Sequence, residues 1–262
     1  MSADPTKRKA RRVTVYSALI GTFWALTQWQ PWEFDWFPRD GLPYSPVDPK
    51  ILTGTPRIVV VTAHPDDSEF YIGASATILH RQGAIMHHIV VTDGDKGYYP
   101  FEEADENRAT RRAEQDKASG TWGAKPVYLS FPDGRLRNTS EVREAIWKEI
   151  QAFKPDFVLS FDGLFPPRMS HQDHRRSGDA VEDVLKEKGW EGWLMRFSTG
   201  SPNFVIDISD TWETKKDLLA IHKSQFYGDR LEGIINLVES RAERDGEKIG
   251  AAYGEGFRCE KL

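Results

Sequence analysis

Two short clusters in this chain have the residue types and spacing needed to hold a metal ion and work on a water beside it. The first is His64-Pro65-Asp66-Asp67, which follows the apolar run Ile58-Val59-Val60-Val61. A β-branched run of this kind reads as a buried strand, so the cluster falls at a strand-to-helix turn. His64 and Asp67 are three positions apart and can converge on one point there. Zinc takes imidazole nitrogen and carboxylate oxygen readily, and a catalytic zinc keeps one position open for water. Asp66 must then point elsewhere. It is free to act as base on a water whose pKa a zinc ion lowers to about 7. The competing reading is a helix cap, with Asp66 or Asp67 meeting orphan backbone N–H groups and the helix dipole.

The second cluster is His171-Gln172-Asp173-His174, which follows the apolar run Phe157–Phe161 and the loop Asp162-Gly-Leu-Phe-Pro-Pro167. In a parallel sheet, the carboxyl ends of the strands share one edge, so the two clusters can meet without special folding. His64, Asp67 and His174 then form a three-ligand set with an open position. His171 and Asp173 are left over. Asp173 can hold His171 in one tautomer and favour its charged form. A cationic imidazole suits an oxyanion or a departing amine.

The elements that must position these groups alternate along the chain. Strand signals cover 58–61, 86–92, 127–131 and 157–161. Helix signals cover 71–82, 105–122, 140–153 (with Ser140 as cap) and a stretch from His174 to about 188. Alternation of this kind predicts an α/β, Rossmann-like, mostly parallel sheet with helices on both faces. Further on, 193–197 and 204–208 read as a strand pair. Helices near 210–224 and 231–244 close the domain.

Composition sets bounds on this reading. The chain has 262 residues, 39% apolar and 29% charged, enough for one α/β domain and a smaller appendage. Cys259 is the single cysteine, so neither an internal disulfide nor a thiolate zinc site can form. The net charge is −5, yet residues 1–12 carry five basic residues against Asp4, leaving −9 on the rest. An acidic body of this kind excludes nucleic acid as the main partner. Residues 13–32 contain no charged side chain, and a membrane helix needs roughly 20 residues. With Trp24, Trp29, Trp32 and Trp36 as an interfacial belt, they read as a single-pass anchor. The basic tail keeps the N-terminus on the cytoplasmic side. The alternatives are a cleaved signal and a hydrophobic helix lying on a surface. The chain thus divides into a tail (1–12), an anchor helix (13–32), a Pro/Gly/aromatic linker (33–55) and a catalytic domain (56–262).

Taken together, these motifs resemble the PIG-L/LmbE-like zinc de-N-acetylase family. The resemblance rests on Ala63-His-Pro-Asp-Asp67 with Glu69, Thr92-Asp-Gly94, Arg111-x-x-Glu114, Leu129-Ser-Phe-Pro-Asp-Gly134, the His171–His174 cluster and the tail 246–257. It implies zinc on His64, Asp67 and His174, with another divalent metal such as Fe2+ also accommodated. It further implies Asp66 as general base, His171 at the oxyanion, and Arg111 near the polar groups of an amino-sugar or lipid-linked amino-sugar substrate. The family's Pro in the second cluster is Gln172 here. A family tyrosine before that cluster is missing from Arg168-Met169-Ser170, so the leaving amine needs another proton donor. The alternative is a nucleotide- or sugar-binding domain without hydrolysis, although no G-x-G-x-x-G follows the first strand.

Overall fold

The computed structural model describes residues 32–34, 46–97 and 104–262. The hydrophobic helix expected over 13–32 lies outside them except for Trp32, as do the aromatic residues Tyr98, Tyr99 and Phe101. No helix among the described residues is long and apolar enough to cross a membrane.

The strands are β1 (Trp32–Phe34), β2 (Arg57–Thr62), β3 (Ile85–Thr92), β4 (Pro126–Phe131), β5 (Phe157–Phe161), β6 (Met169–His171), β7 (Trp193–Phe197), β8 (Phe204–Asp207) and β9 (Gly254–Lys261). The helices are α1 (Asp67–Tyr71), α2 (Gly73–Arg81), α3 (Ala104–Thr121), α4 (Ser140–Phe153), α5 (Gln172–Glu187), α6 (Trp212–Leu219) and α7 (Asp229–Glu247). Seven strands form one sheet in the order β4-β3-β2-β5-β7-β9-β8, parallel from β4 through β7. The chain builds outward from β2 to β4, then returns to β2's other side with β5. That reversal opens a crevice at the carboxyl ends of β2 and β5, where open α/β sheets bind ligands.

Strand β2 is buried on both faces, so it reads as a continuous apolar run without alternation. Ile58 and Val60 pack with Leu79 of α2 and Trp122 on one side. Val59 and Val61 pack with Val142, Ile146 and Ile150 of α4 and Val181 and Val184 of α5 on the other. Helices α6 and α7 add a third cluster around Trp212, Leu219 and Val238.

Three expectations are corrected. The helix expected over 71–82 begins two residues later, as α2, because Ile72 (φ −136°), buried in the core, leaves helical geometry and separates it from the short α1 that ends at Tyr71. Thr139 caps α4, its hydroxyl accepting from the Val142 N–H at 3.3 Å, so Ser140 is the first helical residue. Strands β7 and β8 do not pair with each other, because β9 lies between them, antiparallel to both. The apolar residues of β9, Phe257 and Cys259, enter the core. Its intervening Arg258 and Glu260 disguise it as a polar tail, yet both are paired across the sheet: Glu260 with Arg196 at 2.9 Å, and Arg258 with Asp162.

The Asp162–Arg258 pair is buried. Arg258 donates to both Asp162 oxygens at 2.7 and 2.8 Å, and Asp162 also accepts from Thr199 and from the N–H groups of Leu164 and Phe165. Burial pushes this carboxyl upward, but Arg258 and the other donors outweigh it and hold it below the usual carboxylate range. Its stabilising effect is therefore present above the unfolded value of about 3.9 and is lost as pH falls through the lower folded value. Asp162→Asn leaves Arg258 buried and uncompensated. It is expected to cost about 3 kcal/mol in urea unfolding at neutral pH. Its stability should also fall less steeply than the wild type's as the pH drops below about 4.

Candidate metal centre and active site

The loops after β2, β4 and β5 bring the predicted groups together at the crevice. His64 Nδ1 lies 3.5 Å from Asp67 Oδ2, and His174 Nε2 lies 3.0 Å from Asp67 Oδ1. His171 stands edge-on to His64, with ring centroids 4.8 Å apart. The ring of His174 stacks on Phe161, the last residue of β5, at 4.1 Å. Asp67 is anchored by the backbone N–H groups of Ala63 and His64, at 3.1 and 2.7 Å. Burial works to raise its pKa, but His174 and His64 outweigh it and hold the carboxyl well below its usual range.

The helix-cap reading of the first cluster fails. Asp66 occupies the position preceding α1, yet its side chain makes no capping bond, and its backbone is left-handed (φ 97°). A non-glycine residue held there costs of order 1–3 kcal/mol, a strain that concentrates at functional sites. The consequence is that adjacent carboxylates face different ways. Asp67 turns to the imidazoles, while Asp66 accepts from Arg111 Nη2 at 3.0 Å. Burial raises the Asp66 carboxyl, opposed by Arg111 and reinforced by Asp67.

Among the described residues, two groupings have ligand atoms within 4.8 Å of one another: His64, His171 and His174, and His64, Asp133 and Asp173. The predicted triple differs from the first by having Asp67 in place of His171. The Asp67 carboxylate contacts both other imidazoles, while His171 Nδ1 accepts from the start of α5 and leaves Nε2 as its one available ring nitrogen. The second grouping supports His64 from behind: its Nε2 faces Asp133 Oδ1 at 3.1 Å and Asp173 Oδ2 at 3.3 Å. A ligating histidine commonly has its remote nitrogen held by a carboxylate in this way. Imidazole and carboxylate donors without a lysine among them suit zinc or another divalent metal.

The roles expected for three residues need correction. The Asp173 side chain does not hold His171. It accepts from Gly134 N at 2.6 Å and Leu136 N at 3.0 Å and faces His64. His171 Nδ1 instead accepts the Asp173 backbone N–H at 3.1 Å, which requires that nitrogen to be unprotonated. Burial, with His64 and His174 close by, pushes His171 down to about 3. It is a neutral imidazole and not the expected cation. Arg111 is buried and spends its guanidinium on the chain itself: Gly94 O at 2.5 Å, Pro65 O at 2.6 Å and Asp66. It braces the Asp66 turn, and no substrate contact is assigned to it.

Sequence reasoning gave no site role to Asp133, Gln115 or Glu69. Asp133 was visible only within the family-like loop Leu129–Gly134, with no role attached to it. Its Oδ2 accepts from Lys96 N at 2.9 Å, tying the loop after β3 to the loop after β4. Gln115 and Glu69 lie on helices, where their spacing carries no signal of what they face.

Comparison with known proteins shows what this site is similar to. Residues 59–185 match the family described as PIG-L: GlcNAc-PI de-N-acetylase. The chain is 29% identical over 220 residues to diacetylchitobiose deacetylase of Thermococcus kodakarensis, covering 77% of this chain and 82% of that protein. It is 26% identical over 186 residues to a probable N-acetyl-alpha-D-glucosaminyl L-malate deacetylase 2 of Bacillus cereus, covering 64% and 83%. The solved structure of N,N'-diacetylchitobiose deacetylase from Pyrococcus horikoshii superposes with a TM-score of 0.77 at 28% identity, covering 81% of this chain and 86% of that one. Through residues 59–185 and the fold around them, this chain is similar to the PIG-L/LmbE-like de-N-acetylases.

Proposed function

We propose that the protein hydrolyses the N-acetyl group of an N-acetylglucosamine-containing glycoside or glycolipid, releasing acetate and a free amine. The observation that carries this reading is the convergence of His64, Asp67, His171 and His174 at the crevice between β2 and β5, with Asp66 turned out of the ligand set beside them. His64, Asp67 and His174 would hold zinc. When bound, the ion supplies Lewis acidity toward the acetyl carbonyl and makes water more acidic.

The chain's own groups divide the remaining work. Asp66 takes a proton from the attacking water as the new C–O bond forms. Burial raises its pKa, which makes the carboxylate a stronger base, and 16% of its side chain is exposed for water to reach. Arg111 holds one of its oxygens, which limits its orientations. With Nδ1 accepting from backbone, neutral His171 carries its proton on Nε2, a donor suited to the negative charge developing on the carbonyl oxygen. As the C–N bond breaks, the proton on Asp66 passes to the leaving nitrogen.

The glycolipid part of the reading rests on β1. Its backbone pairs antiparallel with β6, Trp32 opposite His171 and Phe34 opposite Met169. The uncharged stretch 13–31 therefore precedes the strand that pairs with the one carrying His171, and Leu164 on the loop before β6 and Met169 on β6 itself are exposed. A membrane anchor there brings the site to a surface where lipid-linked amino sugars reside.

Acetate release by the zinc-loaded full chain, compared on N,N'-diacetylchitobiose and on an N-acetylglucosaminyl lipid in vesicles, is expected on both and faster on the lipid. Equal rates would remove the lipid from the reading. Asp66→Asn is expected to keep its zinc and lose roughly two to four orders of magnitude in kcat, and near-normal turnover would unseat Asp66 as the base. Asp173→Asn loosens His64 from behind. It should weaken zinc binding roughly 10- to 100-fold in chelator competition, with far-UV circular dichroism unchanged.

A further inference from the structure

Behind Asp66 lies a buried polar network that none of the steps above uses. Gln115 of α3, fully buried, accepts the Asp66 backbone N–H on its Oε1 at 2.7 Å. Its Nε2 faces Glu69 Oε2 at 3.0 Å and Ser119 Oγ at 2.9 Å. Glu69 is itself fully buried. It accepts from Trp122 Nε1 at 3.1 Å and meets His222 Nε2 at 2.9 Å. His222 follows α6, far along the chain, and nothing in the hydrolysis reading involved it.

These contacts decide which way the amide of Gln115 points. A carboxylate accepts only, so the side of Gln115 against Glu69 must be the NH2, and the carbonyl oxygen is left for Asp66. His222 and Trp122 in turn hold Glu69 in place. The Asp66 N–H is thus captured by an acceptor of fixed position, at the residue whose φ is 97°. Left-handed backbone at aspartate persists only where its surroundings impose it. Arg111 binds both the carbonyl oxygen of Pro65 and the Asp66 carboxylate, so the turn is gripped from both sides.

We infer that Gln115, oriented by Glu69 and His222, is a positioning residue that holds Asp66 in its left-handed conformation and so separates the base from the metal ligand Asp67. This rests on the reading of Asp66 as the base. Gln115 touches none of the reacting atoms, and its contribution lies in where the Asp66 carboxylate points. A small displacement of a catalytic group can cost roughly 100-fold in rate.

Gln115→Met keeps the side chain's length and removes the hydrogen bonds of its amide. In the zinc-loaded full chain acting on N,N'-diacetylchitobiose, kcat should fall roughly 10- to 100-fold, with KM and zinc content within about twofold of wild type. A crystal structure of the variant should show Asp66 at negative φ. Unchanged kcat, or Asp66 still left-handed in the variant, overturns the proposal. A KM or zinc defect without a kcat defect also overturns it, because that would mark a structural or ligand role. Should the variant fail to fold, the zinc-bound wild-type crystal structure decides: Asp66 at negative φ, or its N–H bonded elsewhere than to Gln115, overturns the proposal. If the wild type releases no acetate, the deacetylase reading fails, while the conformation of Asp66 in the variant still decides the role of Gln115.

Discussion

Three carboxylates and three imidazoles are held together at one sheet edge, largely out of water, and the local architecture follows from satisfying them. A buried carboxylate is tolerated only when it is paired and hydrogen-bonded. Asp67 is met by the N–H groups of its own turn, Asp133 by Lys96 N from the loop after β3, and Asp173 by Gly134 and Leu136 from the loop after β4. The bonds to Asp133 and Asp173 also tie one loop to its neighbour. The loops of the crevice are therefore joined through the same groups that give the site its chemistry, and rigidity and function share one set of contacts.

A second tier of polar contacts sets direction. Arg111 and Gln115, both on α3, grip the Pro65–Asp66 turn from either side. Asp133 and Asp173 hold the remote nitrogen of His64, and Phe161 sets the plane of His174. Adjacent aspartates in a turn would repel if they shared a face. The left-handed backbone at Asp66 separates them, so one serves the imidazoles and the other faces Arg111. Farther out, Asp162 plays a similar part for the loop leading to β6, bonded to backbone on one side and to Arg258 of β9 on the other.

How far the sequence could be read depended on whether a residue's partners were local. Strand β5 and helix α4 run over the expected residues, because an apolar run and a helical period are local signals. Strand β9 escaped notice because its polar residues, Arg258 and Glu260, are paired only through tertiary contacts. Strands β1 and β6 are three residues each, too short to carry a period. The ionisation of His171 was misjudged for a similar reason. A neighbouring aspartate in sequence suggested a charged pair, but the helix start turns the Asp173 side chain to His64 and offers His171 only its backbone N–H.

The sequence by itself determined the inventory: which residues could bind a metal, that they follow strands, and that parallel strands would deliver them to a common edge. It could do so because strand position and residue chemistry are properties of short segments. Only the tertiary structure decided which carboxylate serves which imidazole, that Arg111 braces Asp66, and that Gln115, Glu69 and His222 stand behind it. Those assignments depend on side-chain direction across elements far apart in the chain, and direction is set by packing and by the need to satisfy buried charge.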